Sequence, residues 1–211
     1  MTAPEDEVLA RLRQERVLPL VALDDPVVVD ELCSALMAGG VSCLEITFRT
    51  EAALPALERA CGIDGMFVGA GTVLTVEQAR SAAAAGARFA VAPGTDDAVA
   101  AACRELGLPF LPGIATPTEL GHALRLGCLA VKVFPASSLG GPAFLRAVSA
   151  TFPRASFVPT GGIDQDSLAA YLAVPSVLAC GGSWICDPES IRARDFPGIE
   201  RRALAARETA A

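Results

Sequence analysis

The 211-residue chain predicts an α/β protein folded as a single (β/α)8, or TIM, barrel. Three patterns carry that expectation. Short apolar runs recur about every 25 residues, each the length of a strand buried on both faces. Ala-rich stretches of helical length separate them. Several of those stretches open on capping residues and close on glycine. An open doubly wound sheet shares this alternation and is the second architecture the pattern allows.

Taken in order, the first strand is expected at residues 17–23, with a helix over 27–38 that ends at Gly39-Gly40. The second strand, 43–47, leads to a helix over 51–60. The third, 67–71, precedes a helix over 76–85 that opens on the capping-box pattern Thr75-Val76-Glu77-Gln78 and closes at Gly86. A fourth strand at 89–92 is followed by a helix over 96–106. The fifth, 110–114, precedes a helix over 117–126, with Thr116 as cap, Pro117 in the first turn and Gly127 at the end. The sixth strand, 130–134, and the seventh, 156–160, lead to helices over 142–150 and 166–172. The eighth, 177–180, leads to a helix over 191–207, and the tail from 201 to 211 continues helically and frays. No linker-like segment interrupts the series, so residues 1–211 are read as one domain.

Composition narrows the function classes. A net charge of -7 and a pI near 4.8 disfavour a nucleic-acid surface, which needs a clustered basic face. No apolar run reaches the length of a membrane span, and the acidic start Glu5-Asp6-Glu7 lacks the features of a secretion signal. A cytoplasmic protein is expected. Seven cysteines, an odd number without C-x-x-C spacing, read as reduced core thiols. The single histidine, His122, reads as a surface or packing residue and gives poor support to a metal centre or a Ser-His-Asp triad.

One residue stands out chemically. Lys132 is the only lysine, set in the apolar run Ala130-Val131-Lys132-Val133-Phe134, while the other sixteen basic residues are arginines. Arginine stays protonated, whereas a desolvated lysine can become a nucleophilic amine suited to imine chemistry. A strand-end lysine reaching out to water fits the same residues.

In such a barrel, catalytic groups come from the carboxyl ends of the strands. The second strand reads Leu44-Glu45-Ile46-Thr47-Phe48-Arg49. Glu45 and Thr47 share a face, and Arg49 follows if the chain stays extended. A carboxylate between apolar neighbours suits proton transfer, and Arg49 suits bidentate binding of a carboxylate. A local Glu45–Arg49 ion pair explains the two residues equally well. The third strand ends Gly69-Ala70-Gly71-Thr72, which opens backbone to a ligand and offers a hydroxyl, or simply makes a tight turn. Two paired-glycine loops, Thr160-Gly161-Gly162 and Gly181-Gly182-Ser183, follow the last two strands. Barrels often hold phosphate there on backbone amides, without basic side chains.

Together these segments resemble the 2-keto-3-deoxy-6-phosphogluconate (KDPG) and 4-hydroxy-2-oxoglutarate (KHG) aldolase family. The matching segments are Leu44-Glu45-Ile46-Thr47-Phe48-Arg49-Thr50, Val68-Gly69-Ala70-Gly71-Thr72-Val73-Leu74, Pro112-Gly113-Ile114-Ala115-Thr116, Val131-Lys132-Val133-Phe134-Pro135-Ala136, Pro159-Thr160-Gly161-Gly162-Ile163 and Gly181-Gly182-Ser183-Trp184. The resemblance implies a class I aldolase that cleaves KDPG reversibly to pyruvate and glyceraldehyde 3-phosphate. It implies a Schiff base on Lys132, acid–base work by Glu45, and a carboxylate held by Arg49 and Thr72. Phosphate would lie at Gly161, Gly162 and Ser183, with Thr160 and Phe134 lining the pocket. It further implies a homotrimer of the Entner–Doudoroff pathway with no metal and no dissociable cofactor. Related enzymes act on 2-keto-3-deoxy-6-phosphogalactonate or 4-hydroxy-2-oxoglutarate. The chain departs from the family at Ser137, where many members carry Glu, which leaves the sugar-acid preference open. A phosphosugar isomerase, or a non-catalytic sugar-phosphate-binding barrel, would use the glycine loops but leave Lys132 without so clear a task.

Overall fold

A computed structural model describes residues 4–211. The chain begins with α1 (Pro4–Glu15), β1 (Val17–Val21), a 3-10 turn (Pro26–Val28) and α2 (Val29–Ala38). It continues through β2 (Cys43–Thr47), α3 (Ala53–Cys61), β3 (Phe67–Gly71), α4 (Val76–Ala84), β4 (Phe89–Val91) and α5 (Asp97–Glu105). Next come β5 (Phe110–Leu111), β6 (Gly113–Ile114), α6 (Pro117–Arg125), β7 (Ala130–Val133) and α7 (Gly141–Thr151). The remainder is β8 (Ser156–Pro159), α8 (Gln165–Leu172), β9 (Cys180–Gly182), α9 (Pro188–Arg192) and α10 (Phe196–Ala210).

All strand pairings are parallel. One ladder runs β5-β4-β3-β2-β1-β9 and a second runs β6-β7-β8. Single bridges, Phe157 to Val177 and Thr160 to Gly181, join β8 and the residue after it to β9 and the segment leading into it. The expected fifth strand is broken between β5 and β6 by Pro112, which has no N–H to give to a ladder. The run still pairs on both sides, because Pro112 O accepts from Lys132 N at 2.9 Å and Gly113 N donates to Gly94 O at 3.0 Å.

The sheet is curled. Glu45 on β2 and Lys132 on β7 lie four strand positions apart, roughly 19 Å on a flat sheet. Their side chains are 3.3 Å apart, so the two strands face each other across an interior. An open doubly wound sheet cannot bring them together. The helices cover the outer face with alternating apolar stripes, as on α3, where Ala53, Ala56, Leu57 and Ala60 are buried. Their caps are those the sequence signals: Thr75 and Thr116 each form a complete capping box.

Three elements differ from the sequence expectation. Helix α1 was not anticipated, although an acidic first turn and buried Val8 and Leu12, four residues apart, mark it. It crosses the amino ends of the strands. Ser42, just before β2, donates to Glu15 from N at 3.2 Å and from Oγ at 2.9 Å, and Leu129 N, just before β7, donates to Glu5 at 3.3 Å. The last strand begins at Cys180, not Val177, because Cys180 N donates to Arg16 O and the β1 register then runs Val17 to Cys180. Finally, the terminal helix is two helices. Arg194 adopts a left-handed φ of 54°, and Asp195 caps α10 by accepting from Gly198 N at 3.0 Å.

Candidate active site

Because the strands are parallel, all their carboxyl ends lie at one end of the sheet, opposite α1. That end gathers the residues singled out from the sequence. Glu45 lies two residues before the end of β2, and Lys132 one residue before the end of β7. Thr72 directly follows β3, Thr160 directly follows β8, and Ser183 directly follows β9.

Glu45 and Lys132 form the centre. They are 1% and 4% exposed, and Lys132 Nζ donates to Glu45 Oε1 at 3.3 Å. The lysine does not reach out to water; its ammonium end also lies 5.7 Å from the centre of the Phe134 ring. Two buried opposite charges at this distance offset part of each other's desolvation cost, and removing either strands the other. Gly71 makes room for the pair, since a Cβ there would fall 2.2 Å from Glu45 Oε1. The close approach of Glu45 is one reason for glycine at this position.

Arg49 does not pair with Glu45. Its Nε donates to Thr47 Oγ1 at 3.1 Å, and Thr47 in turn donates to Val21 O at 2.8 Å. Arg49 is exposed at the rim, and Thr72 is half-buried with a φ of 56°. A left-handed β-branched residue is costly, and such strain concentrates at functional sites.

Gly161 and Gly162 follow β8, the strand beside the one carrying the lysine. Gly181 and Gly182, expected as a second loop, lie inside β9 one strand further on, because that strand starts only at Cys180, and Ser183 alone lies beyond it. Thr160, 4% exposed, packs against Gly181, where a Cβ would meet its Oγ1 at 2.4 Å. Ala136 N donates to Thr160 O at 2.8 Å and Ser137 N to Gly161 O at 3.1 Å, which binds the loop after β7 to the loop after β8. Gly161 and Gly162 have φ values of 98° and 72°, open to glycine and strained for other residues. Ser137 fills the space beside Gly162, where a Cβ would fall 1.9 Å from its Oγ. Among the described residues, the amides of Gly162 and Ser183 donate to no protein acceptor, while Gly161 N faces Gly181 O in the bridge between Thr160 and Gly181. The N-terminus of α8 is already capped by Asp164, whose carboxylate accepts from Ser167 N at 2.9 Å. The Ser167 hydroxyl and amide hold the Asp164 carboxyl below its usual range. The Gly162 and Ser183 amides are thus open anion donors, and the Asp164 carboxylate takes up part of the α8 N-terminus.

A buried amine beside a buried carboxylate, with amide donors a loop away, is equipped for proton transfer at a covalently held carbonyl compound. The sequence profile described as "Aldolase: KDPG and KHG aldolase" matches residues 8–202. The chain belongs to this family. A "2-dehydro-3-deoxy-phosphogluconate aldolase" from Treponema pallidum is 46% identical over 195 residues, covering 91% of this chain and 92% of the relative. The "KHG/KDPG aldolase" of Escherichia coli K12 is 38% identical, covering 92% of each chain. A crystal structure of KDPG aldolase from Legionella pneumophila, with pyruvate captured at low pH as a covalent carbinolamine intermediate, superposes with a TM-score of 0.91. That protein is 36% identical, with 97% of this chain and 98% of the other covered. Like other members of its family, this aldolase is a carbon–carbon lyase.

Among the predicted site residues, Lys132 lies within reach of both Glu45 and Phe134, and Thr160, Gly161 and Gly162 form the adjoining wall, Gly161 against the Phe134 ring. Thr72, Arg49 and Ser183 stand at the same end without a hydrogen bond to the pair. His122 lies on the outer surface, with Nε2 2.6 Å from Asp97. Among the described residues, no helix is long and apolar enough to cross a membrane.

Proposed function

We propose that the chain cleaves 2-keto-3-deoxy-6-phosphogluconate reversibly to pyruvate and glyceraldehyde 3-phosphate through an imine on Lys132. The observation that carries this reading is the buried contact of Lys132 Nζ with Glu45 Oε1 at 3.3 Å. Attack on the C2 carbonyl requires the free amine, and Glu45 is the base within reach of the proton that must leave. Glu45 returns that proton to the carbinolamine hydroxyl, which leaves as water and gives a cationic imine that serves as an electron sink. Glu45 then takes the proton of the C4 hydroxyl, relayed by a water. The C3–C4 bond breaks, its electrons pass into the enamine, and the aldehyde departs. Protonation at C3 gives the pyruvate imine, and water returns pyruvate and the free lysine.

Arg49 and Thr72 hold the carboxylate in this scheme, while Gly161, Gly162 and Ser183 hold the phosphate, with Thr160 and Phe134 as pocket walls. The unused amides of Gly162 and Ser183 support the phosphate assignment. They also make an anion site compatible with an acidic protein. The reading includes one domain whose sheet closes as a complete (β/α)8 barrel, supported by the bridges from β8 towards β9. It includes a cytoplasmic homotrimer of the Entner–Doudoroff pathway needing neither metal nor dissociable cofactor. Seven free cysteines suit a reducing compartment.

The test is borohydride reduction in the presence of pyruvate, followed by peptide mass spectrometry. Wild-type protein is expected to gain a reduced pyruvate adduct on Lys132. Lys132→Arg gains none. Glu45→Gln keeps part of the adduct but loses about 10²–10⁴-fold in turnover, the usual worth of acid–base catalysis. A normal adduct yield in Lys132→Arg ends the proposal. Pyruvate release from phosphorylated gluconate and galactonate acids and from 4-hydroxy-2-oxoglutarate, coupled to lactate dehydrogenase, identifies the substrate and separates a lyase from an isomerase or a binding barrel.

A further inference from the structure

One buried hydroxyl at the site has no role in the scheme above. Thr47, 1% exposed, is the last residue of β2 and shares its face with Glu45, while Arg49 lies in the turn that follows, its N donating to Thr47 O at 2.8 Å. Its hydrogen is committed, because Oγ1 donates to Val21 O at 2.8 Å. The hydroxyl therefore turns a lone pair towards Arg49, and Arg49 Nε donates into it at 3.1 Å. Val21 ends β1, directly beside β2 in the ladder, so this anchor sits on backbone held by the sheet.

The consequence concerns which edge of the guanidinium is free. Arginine carries five N–H donors in one plane and can grip a carboxylate through its side edge, which uses Nε, or through its two terminal nitrogens. Thr47 occupies Nε. We propose that Thr47 is the positioning residue that presents the terminal edge of Arg49 to the substrate carboxylate. Without it, an exposed arginine with several free torsions has to be ordered by the substrate itself, at a cost in binding. This inference rests on the aldolase reading, in which Arg49 meets the carboxylate.

The experiment compares two imine-forming ketones in borohydride trapping: pyruvate, which has the carboxylate, and hydroxyacetone, which lacks it. Thr47→Val removes the hydroxyl at constant shape, and Thr47→Ser keeps it. For Thr47→Val, the pyruvate concentration giving half-maximal trapping is expected to rise about tenfold, in line with loss of one bond to a charged donor. Its hydroxyacetone curve stays where the wild type's is, and Thr47→Ser returns the pyruvate value to within about twofold of wild type. Thr47→Val also leaves Val21 O without its donor. Should it fail to fold, Thr47→Cys replaces it, since a thiol fills the space but is a poor acceptor for Nε. An unchanged pyruvate curve overturns the proposal. Equal weakening for both ketones also overturns it, because a merely structural role has no reason to distinguish them. If wild-type protein traps neither ketone, the aldolase reading fails first, and the inference falls with it.

Discussion

At the scale of single residues, the site is defined as much by what is missing as by what is present. Glu45 reaches Lys132 only because Gly71 has no side chain. A methyl group there would lie 2.2 Å from Glu45 Oε1 and 2.6 Å from its Cγ. The buried carboxylate has to move off Lys132 to make room, so Gly71→Ala should fold but lose up to about 3–5 kcal/mol of stability, as when a buried pair is broken. It should lose roughly tenfold to a hundredfold in turnover, because a misplaced base forfeits much of its catalytic worth. Steady-state kinetics alongside thermal unfolding check this; unchanged kcat in a folded Gly71→Ala protein would remove Gly71 from the site. Lys132, Glu45 and the glycine loops were legible because each residue type was unusual where it stood. Thr47 was visible as a neighbour on the same face, but its bond to Arg49 was not. The sequence left a Glu45–Arg49 pair open, and only the curled sheet gives Glu45 a different partner.

At the scale of elements, the strands and helices followed directly from local pattern wherever caps and apolar runs coincide. Misplacements arose where a long-range partner sets the boundary. The last strand starts at Cys180 because β1 is its ladder partner, and no feature of Val177-Leu178-Ala179 announces that. Helix α1 illustrates the converse, an element with clear local signals whose role is entirely tertiary. Leu12 is 0% exposed beneath the strands, and Glu15 receives both the amide and the hydroxyl of Ser42. Leu12→Ala is expected to cost about 2–5 kcal/mol, as buried leucine truncations do. It should leave pyruvate trapping on Lys132 intact, because the two ends of the sheet are separate. Urea unfolding measures the first quantity, and a loss below about 1 kcal/mol would mean that α1 is dispensable packing.

For the whole molecule, the buried thiols predict a pH response. Burial pushes Cys33 and Cys180 up to about 12, and Cys61, Cys103 and Cys128 to about 11. Cys43 and Cys186 are also raised, by complete burial. The unfolded chain ionises these groups near pH 8.5–9 while the folded protein keeps their protons. Unfolding then releases protons, and stability falls with rising pH. Their contribution is fully present below about pH 8.5 and is lost as pH climbs towards 12. Melting temperature should therefore decline from pH 8.5 to 11, and less steeply in a Cys43→Ala, Cys186→Ala double variant. Equal slopes in the two proteins would contradict the assignment of this decline to buried thiols.

By itself, the sequence determined the alternation of strands and helices from β1 to α8, the lone lysine in an apolar strand and the family to which the chain belongs. Those properties are local, written in residue type and in spacing along the chain. Only the tertiary structure decided that Glu45 partners Lys132, that Thr47 holds Arg49, and that α1 spans the amino ends of the strands. Each is a contact between segments distant in sequence or a choice among nearby partners. Curling of the sheet fixes those distances, and no stretch of residues read alone contains them.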